Sequence, residues 1–586
     1  MAPVRRINLL ILCALLLLGG CATTGSAPEA VDDGGARALA EGGDYAGAAR
    51  AYEQLAASNR RSRDALLLKA AEAWRDEGDL AALARVLGEV RPKRLTPAQA
   101  AHLDLLLAES ALAQGNPQRA LDLATLPEGA LDRAYRLRVP EIRARALLAT
   151  GRPLDSARER ALLDLKLSGP DRAANQDDLL DALAAADVAS LNAALGAAGP
   201  DDALRPWLER ALRLKGTVPA RVMPRPTRQA GALFADADGS RQREGYASTA
   251  QVALLLPLSG PLASAGGAIR DGFLAAFFAD QDLEARPRVR ILDTGETVDG
   301  ALEAYRLAVE GGATRVVGPL AREQVAAVQE AQTVPVPVLA LNHPDSGAIP
   351  PRGSQQFGLL PDEEAAVAAD AAIARGLRRA ALLGATEDWS ERALLAFRAQ
   401  FEQGGGTVTG EARLALDAVD YGGPIAQATA DVPDLIFLAV RPPQGRLLVP
   451  QLRARGLDAL PMLATSHIYS GTVSRALDRD LNGVEFCDAP WLFGLAAGLP
   501  AREPLARRLA AAANSPRLFA FGMDAYRLLP YVDWLAGNND AYLPGAIGQL
   551  AIDGFGRVRR LPVWLRFDDG VPRPADGALS GFAPAP

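Results

Sequence analysis

Lysine is nearly missing from the 586-residue chain: of 63 basic residues only Lys69, Lys93, Lys166 and Lys215 are lysines, and none lies beyond 215. Schiff-base chemistry, a Walker-A lysine and a Ser-x-x-Lys nucleophile are therefore excluded from everything downstream. Histidine is as scarce. His102, His343 and His467 stand far apart and none sits in His-Glu-x-x-His, so neither a zinc site nor a His-dependent triad is expected. No Gly-x-Gly-x-x-Gly follows the first strand of the C-terminal half, and no Gly-x-Ser-x-Gly occurs. These gaps lead to the expectation of no catalytic residue, no metal and no cofactor. With residues 1–20 set aside, 61 basic residues face 70 acidic ones, a balance that makes nucleic acid a poor partner. What remains is an ordinary globular composition, 49% hydrophobic and 23% charged, in a chain long enough for several cores.

The N-terminus carries Arg5 and Arg6, an apolar run from Ile7 to Leu18, then Gly19-Gly20-Cys21. This pattern reads as a secretory signal over residues 1–20, too short for a comfortable permanent span. Leu18-Gly19-Gly20-Cys21 resembles the bacterial lipobox, which implies acylation of Cys21; Ala22 rather than Asp follows it, which favours the outer membrane, facing the periplasm. Residues 21–35, small and polar with Gly and Pro, read as a flexible tether. With Cys13 lost and Cys21 acylated, Cys487 is the one thiol left. Its setting, Val484-Glu485-Phe486-Cys487, predicts a buried strand residue.

Gly43-Asp44, Gly78-Asp79, Gly115-Asn116 and Gly151-Arg152 recur at spacings of 35, 37 and 36 between Ala/Leu-rich stretches. The glycine suits a left-handed turn joining antiparallel helices, so residues 36–215 are expected to form an all-α tetratricopeptide-like solenoid. A generic Ala-rich helical domain is the alternative. Trp74 and Trp207 read as packing residues. Pro219, Pro224, Pro226 and the polar run to Ser248 mark residues 216–248 as a linker.

From 249 to 586 the period changes. Val252–Leu256, Val289–Leu292, Arg315–Gly318, Val336–Ala340, Ala380–Leu383, Leu435–Val440 and Met462–Thr465 are apolar runs of buried parallel strands, alternating with amphipathic helices. Two such series predict a two-lobed α/β domain. Ligands of open α/β sheets gather at strand carboxyl ends. The candidate cleft or partner-facing residues there are Ser259, Gly260, Ser264, Gly318, Pro319, Asn342, His343, Thr465 and Ser466, with Ser264 also placed to cap the next helix.

Leu254-Leu255-Leu256-Pro257-Leu258-Ser259-Gly260 and Ala265-Gly266-Gly267-Ala268-Ile269-Arg270-Asp271-Gly272-Phe273 resemble the penicillin-binding protein activator family, the LpoA/LppC lipoproteins. So do Val317-Gly318-Pro319-Leu320, Leu339-Ala340-Leu341-Asn342, Asp480-Leu481-Asn482-Gly483-Val484, Phe521-Gly522-Met523-Asp524-Ala525-Tyr526, and residues Gly548 to Arg557. The resemblance implies a type I periplasmic-binding-protein fold for 249–586 and a monomeric, non-enzymatic lipoprotein held to the outer membrane by its lipid. It also implies a partner, a class A bifunctional penicillin-binding protein whose transpeptidation it stimulates.

Two other functions compete with activation. A receptor for an amino acid or peptide would need an acid for the ammonium group, and Asp345, Glu387 and Asp388 stand in suitable loops. A cell-wall hydrolase would need paired carboxylates in a groove, and the sequence marks no such pair.

Overall fold

The computed structural model describes residues 31–575 except 127–128, 133–134, 200, 216–225, 236–240, 282–285, 332–333, 497 and 539; the signal segment and Cys21 lie outside the described residues. The chain divides into two compact units, Met1–Thr150 and Gly151–Pro586.

In the first unit helices run Gly34–Glu41, Tyr45–Ser58, Arg63–Glu77, Leu80–Glu89, Pro97–Ala113, Pro117–Leu123 and Arg138–Ala149. Gly43, Gly78 and Gly115 take φ of 82°, 83° and 75°, as the repeat spacing requires. The residue after each glycine caps the next helix: Asp44 accepts from Gly47 N, Asp79 from Ala82 N, Asn116 from Arg119 N. Each such cap is worth about 1 kcal/mol. In the fourth turn Gly151 keeps its φ of 74°, but Arg152 provides no side-chain cap. Small residues Ala48, Ala49, Ala70 and Ala71 are fully buried with Leu83 and Val86, letting the helices approach closely. Trp74 is buried and donates to Glu53, so it packs rather than presents a platform. Arg138 ties three helices, pairing with Glu72 at 2.5 Å and Glu109 at 2.6 Å, beside a His102–Tyr135 stack.

The second unit begins with helices Pro153–Asp164, Gly169–Ala184, Val188–Ala197 and Arg205–Leu214. They belong with the α/β part and not with the preceding repeats. The reason is a buried ionic contact: Glu209 pairs with Arg205 at 3.3 Å and with Arg557. Trp207 is 3% exposed. The boundary between compact units thus falls at 150/151, ahead of the 216–248 stretch read as a linker. Part of that stretch is folded: Arg228–Gln229 pairs in parallel with Ala541–Tyr542, and Leu233–Ala235 forms a hairpin with Arg241–Arg243.

The first lobe's five-stranded parallel sheet has, in spatial order, Arg288–Asp293, Gln251–Leu256, Arg315–Val317, Val338–Ala340 and Gln355–Gln356. The second lobe's sheet orders Thr407–Leu414, Arg379–Ala385, Leu435–Ala439, Met462–Ala464 and Glu485–Asp488, all parallel, then adds the antiparallel hairpin Val563–Asp568/Val571–Pro574. The central strands are buried on both faces, which is why they read as unbroken apolar runs. Cys487 is fully buried in the strand Glu485–Asp488.

The chain passes between lobes three times: through Phe357–Leu360, between Asp488 and the helix Pro516–Leu528, and at Pro562. The helix Pro516–Leu528 returns to the first lobe and crosses the helix Ala263–Ala279 at bare backbone. A Cβ on Gly272 would lie 1.9 Å from the Phe519 carbonyl oxygen, and one on Gly522 would lie 2.0 Å from that of Ile269. Fully buried Asp524 accepts from the Ala546 and Ile547 amides at 2.7 and 2.8 Å, fixing the turn before Gln549–Ile552. Burial pushes its carboxyl up to about 6. Two parallel α/β lobes joined by three passages are the type I periplasmic-binding-protein arrangement expected from the resemblance.

Candidate functional site

The strand-end loops of both lobes converge on a cavity of about 270 Å³. The first lobe contributes Leu320, Arg322, Leu341 and Asn342, and the passage contributes Leu359, Leu360 and Pro361. Trp389, Arg392 and His467 close it from the second lobe, with Leu518 and Phe521 of the returning helix.

Of the loop residues singled out in the sequence, only Asn342 lines this space, and its amide is spent on the fold. Its Nδ2 donates to the Leu320 carbonyl and its Oδ1 accepts from His343 N, both at 3.0 Å. His343 is buried beside Gly358. Gly318 has φ of 103°, and a Cβ there would meet the Leu255 carbonyl oxygen at 2.0 Å; Pro319 accepts through its carbonyl from Leu341 N. At Gly260, φ is 76° and a Cβ would collide with Glu296. Ser259 sits in a loop organised by Asp293, which accepts from the Leu258 and Gly295 amides. Those bonds, that from Gly295 first, hold the Asp293 carboxyl below the usual range. Ser264 does not cap its helix: the helix starts at Ala263 with Leu262 in the cap position, leaving Ser264 exposed inside the first turn. Thr465 is fully buried. Ser466 donates through its amide and hydroxyl to Glu364 at 2.9 and 3.0 Å, while its carbonyl accepts from Arg517.

Glu364 is the centre of a buried charge network that sequence reasoning missed. Burial alone would raise its carboxyl, but Arg560, 2.5 Å away, and Ser466 hold it ionised and below the usual range. The neighbouring Glu363 pairs with Arg559 at 3.3 Å, and Arg559 also holds Asp553 at 2.9 Å. Consecutive residues of a strand point to opposite faces, so Arg559 and Arg560 reach two different acids at the start of the helix Pro361–Ala374. Within the second lobe's wall, His467 stacks on Trp389 at 4.1 Å and 10°, and the Arg441 guanidinium lies 5.3 Å from the same indole. Burial, reinforced by nearby Arg517 and Arg441, pushes the His467 imidazole down to about 4, so it is neutral at pH 7.

The three acids suited to an ammonium group are each engaged by arginine. Asp345 pairs with Arg322 at 2.6 Å, Glu387 with Arg441 at 3.0 Å and Asp388 with Arg392 at 3.3 Å. None of the three lines the cavity. The signal for Trp389 and Arg392 was in the sequence, since Thr386-Glu387-Asp388-Trp389 follows a buried strand at its carboxyl end.

The family model described as "LppC putative lipoprotein" matches residues 45–432 and 422–570. Penicillin-binding protein activator LpoA of Photobacterium profundum is 27% identical over 526 residues, covering 81% of this chain and 83% of its own. The protein of that name from Vibrio cholerae is 25% identical over 599 residues, covering 94% and 96%. The solved structure of Haemophilus influenzae LpoA matches 90% of this chain and 98% of its own at 20% identity, with a TM-score of 0.49. That organism's LpoA C-domain, titled a regulator of PBP1A, covers 56% of this chain and all of its own at 25% identity, TM-score 0.48. With its helical repeats and both lobes inside the matched residues, the chain belongs to the LppC lipoprotein family.

Proposed function

We propose that this protein activates a penicillin-binding protein, and that its partner is a class A bifunctional peptidoglycan synthase whose transpeptidation it stimulates. The observation that carries this reading is the collinear similarity to curated activators, which runs through helical repeats and α/β lobes alike over up to 94% of the chain. The loop chemistry agrees with it: the polar atoms of Asn342, Ser466 and Asp293 are committed to holding loops rather than to a reacting group. In this reading the protein is a monomer, acylated at Cys21 and held on the periplasmic face of the outer membrane. The helical repeats carry the α/β lobes toward a synthase in the inner membrane.

The test is cross-linking by a purified class A synthase from the same organism, measured with and without this protein. A rise in cross-linked product at equimolar protein is expected, with retention of the synthase in a pull-down. No change in cross-linking and no retention would remove the proposal. Cys21→Ser is expected to release the protein from outer-membrane fractions or leave it unprocessed. Unchanged mature size and membrane attachment would remove the anchor from it.

A further inference from the structure

The interlobe cavity has a composition that selects a ligand. Eight of its lining residues are apolar and no acid is among them, whereas Arg322 and Arg392 both face it. The ionic partners of these arginines, Asp345 and Asp388, have side chains 73% and 89% exposed. Ion pairs with acids so exposed are weak and yield readily to a better acceptor. The Arg392 Nε lies 3.3 Å from Asp388 Oδ2, an ionic contact without hydrogen-bond geometry. A carboxylate bound in the cavity could make the charge-assisted hydrogen bond that this contact with an exposed acid does not.

We propose that this cavity binds a small carboxylate with an apolar body, its carboxylate on Arg392 with Arg322 assisting, and its hydrocarbon or aromatic part against Leu320, Leu518 and Phe521. The volume holds a molecule of about ten non-hydrogen atoms. A zwitterionic amino acid of that size is disfavoured, because its ammonium group would be desolvated facing two guanidinium groups with no acid to receive it. This inference concerns a ligand and stands apart from the activator reading, so either can fail alone.

The test is calorimetric titration of the purified full chain with hexanoate, benzoate, L-leucine and inorganic phosphate. Hexanoate or benzoate is expected to bind at one saturable site in the submillimolar range. Leucine is expected at least about tenfold weaker, and phosphate, lacking an apolar body, should not saturate. Arg392→Gln should weaken carboxylate binding about tenfold or more, the size of a lost charge-assisted bond. Arg322→Gln should weaken it less; should Arg392→Gln not fold, a loss of affinity in this second variant supports the site on its own. The inference is overturned if neither carboxylate saturates, if leucine binds as tightly as hexanoate, or if folded variants at both arginines keep the wild-type affinity.

Discussion

Arg517 grips both carboxylate oxygens of Asp488, at 2.8 and 2.6 Å, across the passage between the lobes. Arg517 sits on the helix that returns to the first lobe, whereas Asp488 ends a strand of the second lobe; the same guanidinium also donates to the Ser466 and Tyr469 carbonyls. Asp488 is 1% exposed, so removing its partner leaves a charge stranded away from water. Arg517→Ala is expected to cost about 3–5 kcal/mol in urea unfolding, and Arg517→Lys to recover only part of it, because an ammonium cannot span both oxygens and two carbonyls.

The helix crossing at Gly272 and Gly522 tolerates no side chain. Gly272→Ala or Gly522→Ala must drive the helices Ala263–Ala279 and Pro516–Leu528 apart, since the added carbon lands on a backbone carbonyl that cannot rotate away. A loss of about 3 kcal/mol is expected for each. Gly267→Ala, one turn along the first helix with open space around it, should be neutral or slightly stabilising, since alanine is the better helix former. Thermal melts of the three variants distinguish close approach from helix propensity.

Stability should depend on pH through His467. Its imidazole is pushed down from 6.5 to about 4, so below pH 6.5 the unfolded chain binds a proton that the folded one refuses. The contribution is fully present above about pH 6.5 and is lost as pH falls toward 4. Asp524 acts in the opposite sense, its raised carboxyl favouring the folded state at low pH, so the wild-type profile mixes the two. The comparison is therefore wild type against His467→Phe: the variant should lose about 2 kcal/mol less than wild type between pH 7 and 4.5 in denaturant titrations.

The Glu209 contact ties the helices Pro153–Leu214 to the lobes. Glu209→Ala would leave Arg205 and Arg557, 4% and 3% exposed, buried together as like charges. A loss of about 3–5 kcal/mol is expected. A fragment starting at 249 lacks these helices and the strand Arg228–Gln229 as well, and its urea midpoint should fall below that of one starting at 151.

What could be read from the sequence were features whose signal is local. Val252–Leu256 and Leu435–Val440 are legible because strands buried on both faces carry unbroken apolar runs, and Gly43, Gly78 and Gly115 because a left-handed turn needs glycine. Cys487 was placed by the same reasoning. The features that escaped depend on partners far along the chain. Arg228–Gln229 is a polar two-residue strand whose partner lies more than 300 residues away, so nothing local marks it. Glu209 with Arg557, and Glu364 with Arg560, look like solvated charges until folding buries them. The loop residues Ser259 and Gly260 were correctly assigned to a strand end, but the first lobe lines the cavity through Leu320, Arg322, Leu341 and Asn342 instead, and Trp389, Arg392 and His467 of the other lobe close it.

The three passages between lobes have a practical consequence for anyone mapping a docking surface. The second lobe takes its edge hairpin from Val563–Pro574, the far end of the described chain, and the first lobe takes the helix Pro516–Leu528 from beyond the second lobe's parallel strands. Neither lobe is a continuous stretch of sequence, so no single cut in the chain separates them. Progressive deletion from the C-terminus strips an edge from the second lobe before it reaches any residue of the first, and lost binding in such a series would report unfolding. Surface epitopes here have to be located by single substitutions at exposed side chains, or by chemical footprinting that does not depend on amines, since no lysine occurs beyond Lys215.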